Sequence, residues 1–410
     1  MRRLWRQTRS FPPAVRLLML NQFAGNIGFS MLMPYLATHL ADGLGLAAWA
    51  VGLVLGVRHF SQQGMFLVGG TIADRLGYRA PVVAGCLLRA AGFGMLGWVN
   101  SLPALIVACV AIGFAAALFN PAVRAWLAAA AGERRVDAFA VFNVYYQSGL
   151  LLGPLVGLSL LAVDFRLVCA VAAALFAALT VLQWRALSAG GGPVAGAAGS
   201  GVPAQWRTVV ANRPFLLFSG AMAGSYVLAS QVYLALPLAA ADALGRNGTA
   251  VTCGLFVVSA AVTVTGQLRL TGWAKERWDS GAALVRGLVV MGTAFAPLAL
   301  VGPGWKRGEL VCLVVAVVLL AAGAAVVYPF EMDTVMALSD GRLVATHYGF
   351  YSTVSGIGVT LGNLATGALW DLTRQRAALM SLTWGSLTVL GLACAAAVAA
   401  LARGGHLNGR

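Results

Sequence analysis

Residues 56–79 read GVRHFSQQGMFLVGGTIADRLGYR and join an apolar segment to a charged turn. Four polar side chains interrupt the apolar part, where a helix surrounded by lipid would carry leucine: Arg58, His59, Gln62 and Gln63. An ionisable side chain at bilayer depth costs about 2.5–3.5 kcal/mol on insertion scales, so such residues face protein or a water-filled cavity. The stretch therefore predicts a membrane-spanning helix with one polar face.

The composition places the rest of the chain in a membrane as well. Of 410 residues, 60% are hydrophobic and 10% are charged, which leaves too little polar surface for soluble domains. A helix needs about 20 apolar residues to cross a bilayer. Twelve such stretches are centred near residues 28, 60, 90, 116, 148, 177, 227, 258, 290, 322, 356 and 390. Barrel strands are shorter and alternate in polarity, so the sequence predicts an all-α integral membrane protein with twelve transmembrane helices.

The formal charge of +15 is distributed unevenly over the predicted loops. If the N-terminus is cytoplasmic, the inward-facing loops carry most of the arginine and lysine residues. The positive-inside rule then predicts that both termini lie in the cytoplasm. We interpret the excess charge as a topology signal, and we expect no nucleic-acid partner.

A stretch rich in glycine, alanine and proline, SAGGGPVAGAAGSGVPAQWR at residues 188–207, divides the spans into six and six. The sequence predicts an N-terminal six-helix bundle over residues 1–187, a cytoplasmic linker over 188–213 and a C-terminal six-helix bundle over 214–410. A shift of 208 residues aligns equivalent spans of the two halves at four positions: Pro121 with Pro329, Arg134 with Arg342, Val136 with Val344 and Phe142 with Phe350. This pattern indicates two pseudo-symmetric bundles, which are typical of secondary transporters.

Two motifs resemble the major facilitator superfamily. The segment after span 2 fits its pattern G-x-x-x-D-R-x-G-x-R with Gly70, Asp74, Arg75, Gly77 and Arg79. GLLLGPLVG in span 5 resembles a motif of the drug:proton antiporters of that family, with Gly149, Gly153, Pro154 and Gly157. GVRHFSQQG (56–64), FNPAVRAW (119–126) and DFRLVCA (164–170) resemble multidrug exporters of the same branch.

The resemblance implies a transporter that works by alternating access in a bacterial plasma (inner) membrane, as a monomer and without a cofactor. It also implies that Asp74 belongs to a charge relay with nearby arginines and helix ends, which stabilises the outward-open state. Arg75 and Arg79 would contribute to the same cytoplasmic latch. We expect this group of residues to control conformational change and not to contact substrate.

Two acidic residues are candidates for proton coupling. Glu331 and Asp333 lie in VVYPFEMDTVMA near the predicted cytoplasmic end of span 10, whereas the other acids fall in loops or at span ends. Pro329 removes a backbone hydrogen bond beside them. Two residues apart, the pair points in different directions on a helix, so Glu331 is the first candidate and Asp333 the second. An ion pair with Arg342 is the alternative interpretation.

Polar side chains inside the spans are the candidates for lining a substrate cavity. Arg58 and Gln62, four residues apart, polarise one face of span 2, although Arg58 could instead hold that span to a neighbour. Multidrug exporters of this branch often carry an acidic residue in span 1, where this chain has the amides Asn21, Gln22 and Asn26. Four arginines within spans, Arg58, Arg89, Arg124 and Arg286, favour an anionic or zwitterionic substrate. The predicted lining set is Asn21, Gln22, Asn26, Arg58, Gln62, Arg124, Asn143, Tyr146, Gln147, Gln231, Tyr233, Tyr351 and Asn363.

The glycines of span 5 allow another helix to approach closely, and Pro154 bends the span. This segment would act as a gate or seal, or would serve packing alone.

His59 of span 2 could titrate near neutral pH, or it could be a hydrogen-bonded packing residue.

These features favour a proton-coupled antiporter of small amphipathic compounds, either drugs or a secondary metabolite, and the resemblance of the span 5 motif implies that it exports them. Its expected partners are a small-molecule substrate, protons and the lipid bilayer. The alternative is an importer or facilitator of an organic anion. A membrane sensor or enzyme is a distant third, because the four histidines are scattered and the six cysteines form no CxxC pair. We therefore expect no metal site and no enzymatic activity.

Overall fold

The computed structural model of the chain describes residues 2–46, 48–186, 201–244, 248–301, 306–373 and 380–407. These residues form helices joined by short turns, and no strand occurs among them. Within the described residues, eight segments are long and apolar enough to cross a membrane, and the segment Leu102–Leu161 contains two consecutive long helices.

The first six predicted spans correspond to helices in the described residues. Their bounds are Pro13–Ser30 followed by Met33–Thr38, Ala48–Gly64 with Phe66–Leu76, Arg79–Trp98, Leu102–Ala131, Arg135–Leu161 and Phe165–Ala186. Short helices Arg2–Arg9, His39–Gly43 and Gly132–Arg134 flank or connect them. Taken together with the short helices that continue them, these segments reach the twenty residues or so that a bilayer demands.

The last six spans are built in the same way. Their bounds are Arg213–Ser230 with Gln231–Tyr233 and Ala235–Leu244, Gly248–Arg277, Ser280–Thr293 with Ala296–Leu300, Lys306–Leu338, Val344–Thr373 and Met380–Arg403. Pro121 of span 4 and Pro329 of span 10, matched in the sequence repeat, both lie inside long helices. The prediction of a twelve-helix, all-α membrane protein is confirmed.

The chain divides into two compact units. The first comprises Met1–Ala211 together with Ser339–Thr353, and the second comprises Asn212–Leu338 and Val354–Arg410. The first turns of span 11 therefore belong to the first unit. Half of the predicted linker, residues 188–200, lies outside the described residues. Its remainder contains the helix Val202–Ala211, which the composition of the linker did not indicate.

In the first unit, span 3 packs on spans 4 and 6, span 1 on span 5, and span 2 on span 4. Glycines stand at these crossings. A Cβ on Gly85 would lie 2.9 Å from the carbonyl oxygen of Ala115, and one on Gly113 would meet the backbone of Arg58. Lipid tails are as apolar as leucine, so helices associate in a bilayer through close backbone approach at small residues.

The second unit repeats these pairings, because span 9 packs on spans 10 and 12, and span 8 packs on span 10. The glycines of span 11 repeat the contact made by those of span 5. A Cβ on Gly358 would lie 3.2 Å from Cβ of Ala223 in span 7, and one on Gly362 would collide with Val227. Equivalent helices thus meet through equivalent glycines, which is the structural counterpart of the sequence repeat.

Candidate functional site

The carboxylate of Asp74 is fully buried at the end of span 2 and accepts three hydrogen bonds within the first unit. The backbone N–H groups of Ala345 and Thr346 donate at 3.1 and 2.7 Å, and the Thr346 hydroxyl donates at 2.7 Å. Ala345 and Thr346 lie in the first turn of span 11, where backbone N–H groups have no acceptor inside the helix. A carboxylate is a favourable partner there because the helix dipole is positive at that end.

Two glycines let spans 2 and 11 come close enough for these hydrogen bonds. A Cβ on Gly70 would collide with the carbonyl of Ala345, and a Cβ on Gly349 would collide with the carbonyl of Phe66. Each helix therefore presents a bare backbone to the other. The glycine of the motif that precedes Asp74 by four residues has a steric reason to be glycine.

The remaining motif residues shape the turn that follows. Gly77 ends the helix with φ 79°, a backbone conformation that glycine adopts without strain. Arg79 begins span 3, donates a hydrogen bond to the carbonyl of Trp184, and lies over the Trp184 ring, 5.1 Å from its centroid. Arg75 is half-buried in the last turn of the helix that carries Asp74. Arg79 thereby connects the start of span 3 to the end of span 6.

The polar face of span 2 has the predicted local geometry. Nη1 of Arg58 donates to Oε1 of Gln62 at 3.2 Å, and the guanidinium lies 5.4 Å from the centre of the Phe29 ring. Nε of Arg58 is buried and has no hydrogen-bond acceptor. The side chain of His59 lies outside the described residues, so both interpretations of this residue stay predictions.

A second polar group surrounds Tyr146 of span 5, also in the first unit. Its hydroxyl interacts electrostatically with the guanidinium groups of Arg89 and Arg124, and its side chain keeps 37% of its surface exposed. Nδ2 of Asn26 donates to the Tyr146 carbonyl at 3.2 Å. Arg124 donates to the hydroxyl of Ser352 at 2.9 Å. The structure thus brings together three predicted lining residues and adds Arg89, which the predicted set omitted.

Other predicted lining residues of the first unit are packed more tightly. Asn21 is 1% exposed and donates from Nδ2 to the Cys86 sulfur at 3.9 Å. Gln22 and Asn143 are buried, and Tyr351 is fully buried, whereas Gln147 is half-buried.

In the second unit, an amide pair connects span 7 to span 11. Gln231 is fully buried, and its Nε2 donates to the Val227 carbonyl at 2.8 Å and to Oδ1 of Asn363 at 3.1 Å. The Ser230 hydroxyl donates to the same Asn363 oxygen at 2.8 Å. Tyr233 lies elsewhere, 70% exposed and 5.1 Å from the Phe256 ring.

The two candidate proton carriers differ in burial. Glu331 of span 10 is 2% exposed, whereas Asp333 is half-buried. Their separation along the helix accounts for this difference, because residues two apart point to different sides. Arg286, counted among the arginines within spans, is exposed and lies 4.4 Å from the Trp278 ring, so it does not belong to a buried polar group.

The span 5 motif packs on span 1. A Cβ on Gly149 would lie 2.6 Å from the Phe23 carbonyl oxygen, one on Gly153 would lie 2.6 Å from Cβ of Ser30, and one on Gly157 would collide with the Met31 carbonyl. The Tyr35 hydroxyl donates to the carbonyl of Pro154 at 2.8 Å. The motif forms a helix–helix seam between residues 149–157 of span 5 and residues 23–31 of span 1.

Within the described residues, no group of three or more His, Cys, Asp or Glu side chains is arranged to hold a metal ion. The cysteines whose side chains the structure describes are free thiols: Cys86, Cys109, Cys169, Cys312 and Cys394.

Comparison with known proteins places these features in a family. The sequence model of the Major Facilitator Superfamily matches residues 18–363. An uncharacterized MFS-type transporter of Mycobacterium tuberculosis strain H37Rv is 52% identical over 391 residues, which cover 95% of this chain and 93% of that protein. The multidrug resistance protein MdtH of Salmonella newport strain SL254 is 31% identical over 372 residues, 89% of this chain and 88% of that protein.

The fold matches a solved structure as well. The human organic anion transporter MFSD10 (TETRAN) superimposes with a TM-score of 0.70, covering 94% of this chain and 100% of that protein, at 17% sequence identity. The helix order, the motif around Asp74 and the match to the family model all indicate the same family. The chain belongs to the Major Facilitator Superfamily and is a multi-pass membrane transporter for small molecules.

Proposed function

We propose that this transporter is a proton-coupled antiporter that exports small amphipathic compounds, drugs or a secondary metabolite, by alternating access. The observation that carries the proposal is Glu331, a carboxyl group that is 2% exposed and lies two residues after Pro329 inside span 10. Ionisable residues at membrane depth are expensive and mark proton or substrate pathways. The 31% identical relative named for multidrug resistance supports the direction of transport.

The contact between Asp74 and the first turn of span 11 is the conformational control element of the proposal. Its three hydrogen bonds and the close approach at Gly70 join one carboxylate to one helix end, so a shift of that helix end would disturb all of them. We assign the formed contact to the outward-open state, with both termini in the cytoplasm. Protonation of Glu331 would bias one state and bound substrate the other.

The remaining assignments follow from this mechanism. The transporter acts as a monomer in a bacterial inner membrane, with protons, substrate and lipid as its partners. The N-terminal bundle over 1–187 and the C-terminal bundle over 214–410 move as its two functional halves, joined by the linker 188–213. In the first unit, Asn26, Arg58, Gln62, Arg124 and Tyr146 are the strongest candidates for contact with substrate, because their side chains are half-buried or exposed and polar.

The test is gradient-driven transport in proteoliposomes that contain purified protein and a pH-sensitive dye. Wild type should move a fluorescent amphipathic compound against its gradient when a proton gradient is imposed. Glu331→Gln keeps the size of the side chain but cannot ionise, so it should lose gradient-driven transport while retaining substrate exchange at equilibrium. Asp333→Asn is the matched control and should retain most gradient-driven transport. Wild-type coupling in Glu331→Gln would refute the role of Glu331.

A second candidate function is import or facilitated diffusion of an organic anion, and the arginines Arg58, Arg89 and Arg124 favour it. Facilitated diffusion predicts equal exchange rates with and without a proton gradient, whereas proton-driven import predicts that the anion moves in the same direction as the protons. Measuring exchange under both conditions in the same proteoliposomes separates the two candidates.

A further inference from the structure

Arg89 is a buried cation in the middle of a membrane span. It is the eleventh residue of the helix Arg79–Trp98, roughly 15 Å along the axis at 1.5 Å per residue. Its exposed fraction is 8%. A charge so far from either end of the helix cannot reach the aqueous phase by extending its side chain, so its partners within the protein decide its role.

The partners of Arg89 are aromatic rings and neutral side chains. Its guanidinium lies 5.0 Å from the centre of the Phe119 ring and 5.4 Å from that of Phe176. The titratable groups that interact with it are the Cys86 thiol and the Tyr146 phenol, and neither is a carboxyl. Across the described residues, Arg89 donates no hydrogen bond, and its Nε is buried and has no hydrogen-bond acceptor.

This arrangement leaves the guanidinium of Arg89 without the hydrogen-bond acceptors that a buried charge normally has. A guanidinium has five N–H donors, and buried charges in proteins are normally paired and hydrogen-bonded. Aromatic rings interact with the face of a guanidinium and accept none of the in-plane hydrogen bonds. The edge of Arg89 therefore lacks the anionic acceptor that would satisfy it.

The N–H edge of this guanidinium is also accessible to a ligand. Of its three nitrogens, only Nε is fully buried, whereas the two terminal nitrogens are not. Position 25 of span 1 is glycine, and a Cβ there would lie 3.7 Å from Nη1 of Arg89, so glycine keeps the space beside that nitrogen open. Tyr146, which interacts with Arg89, is 37% exposed although it lies in mid-helix. Asn26, one residue after that glycine, donates to the Tyr146 carbonyl.

We propose that Arg89 is the anion-binding residue of a substrate subsite within the first unit, and that it takes the carboxylate of an amphipathic organic anion. A planar carboxylate pairs with the edge of a guanidinium through two parallel hydrogen bonds. Phe119 and Phe176 provide apolar surface for the remainder of such a molecule. Transport of the bound anion rests on the proposed export function, whereas its binding does not.

Equilibrium binding to the purified full-length chain tests the subsite. The probes are 1-naphthoate and 1-naphthamide, which share a ring system and differ in charge. Wild type should bind the carboxylate at least about tenfold more tightly than the amide, the range of a charge-assisted hydrogen-bond pair. Arg89→Gln should abolish this preference and leave amide binding unchanged, and Arg89→Lys should restore part of it. Arg286→Gln removes an exposed arginine within a span and should change neither affinity.

A second variant does not alter the buried charge and so protects the test against misfolding. Gly25→Ala places a methyl group in ordinary contact with Nη1 and should fold normally, as measured by thermal unfolding. It should weaken naphthoate binding several-fold without affecting naphthamide. Equal affinity of wild type for both probes, or an unchanged preference in both Arg89→Gln and Gly25→Ala, overturns the subsite. Chloride or inorganic phosphate competing as well as naphthoate would also overturn it, because the site would then select charge alone.

The subsite and the proposed function fail in different ways. Arg89-dependent naphthoate binding without any gradient-driven transport supports the subsite and refutes the antiporter. Gradient-driven export of a neutral compound, with no preference for naphthoate in binding, refutes the subsite and leaves the antiporter intact.

Discussion

The carboxylate of Asp74 accepts two hydrogen bonds from Thr346, one from its backbone N–H and one from its hydroxyl, each 2.7 Å long. The two residues are 272 positions apart in the chain. One side chain thus satisfies the backbone at the start of span 11 and the hydroxyl beside it. Because the carboxylate is fully buried, water cannot replace either donor within the folded contact.

The first prediction concerns this carboxylate. Asp74→Asn replaces one accepting oxygen by an NH₂ group that faces N–H donors, so it should lower the free energy of unfolding by about 2 kcal/mol. Thr346→Val removes only the hydroxyl donor and should cost about 1 kcal/mol. Thermal denaturation in detergent measures both changes. The double variant should cost less than the sum, because both changes disrupt one network; strict additivity would contradict the coupling.

The second prediction concerns the close approach of spans 2 and 11. Gly349→Ala places a methyl group against the carbonyl of Phe66 and should separate the two helices, weakening the hydrogen bonds to Asp74. We expect slower substrate exchange and a lower unfolding temperature. Gly94→Ala is the control, since its Cβ would make an ordinary contact at 3.9 Å with Cβ of Ala173. Equal behaviour of the two variants would show that the approach is not needed.

The third prediction concerns the seam between spans 1 and 5. Gly157→Ala would drive a methyl group into the Met31 carbonyl, and backbone cannot give way as a flexible side chain does. Overpacking of this kind costs about 1–3 kcal/mol. Gly367→Ala, where a Cβ meets nothing within 4 Å, should instead be neutral or slightly stabilising. Differential scanning fluorimetry of the two variants decides the matter: a Gly157→Ala protein as stable as wild type would contradict the seam.

The fourth prediction concerns the amide pair of the second unit. Asn363→Leu deprives Gln231 and Ser230 of their shared acceptor and should destabilise the protein by about 1 kcal/mol, the scale of hydrogen bonds between membrane helices. Asn363→Asp keeps an accepting oxygen at the same place and should retain the hydrogen bonds. Unfolding temperatures of the two variants give the comparison. If the leucine variant proves the more stable, Asn363 contributes no net hydrogen-bond stabilisation.

The positions of the spans could be predicted because the length of an apolar run is a local property of the chain. The glycines around Asp74 could also be predicted as a motif, although their reason could not. Gly70 needs to be glycine because of the Ala345 carbonyl, which lies far along the chain. The helix Val202–Ala211 was missed, since a segment rich in glycine, alanine and proline shows no strong helical period.

Arg89 and Arg286 show where sequence reasoning stops. Both stand inside apolar spans, Arg89 in span 3 and Arg286 in span 9, and no local pattern separates them. Folding leaves Arg286 exposed over Trp278, while Arg89 is 8% exposed between Phe119 and Phe176. The number of spans, the repeat and the family motif follow from residue order alone, because apolar length and short-range spacing are written along the chain. Which arginine is buried follows only from the packing of helices distant in sequence, because burial and pairing depend on the neighbours that those helices supply.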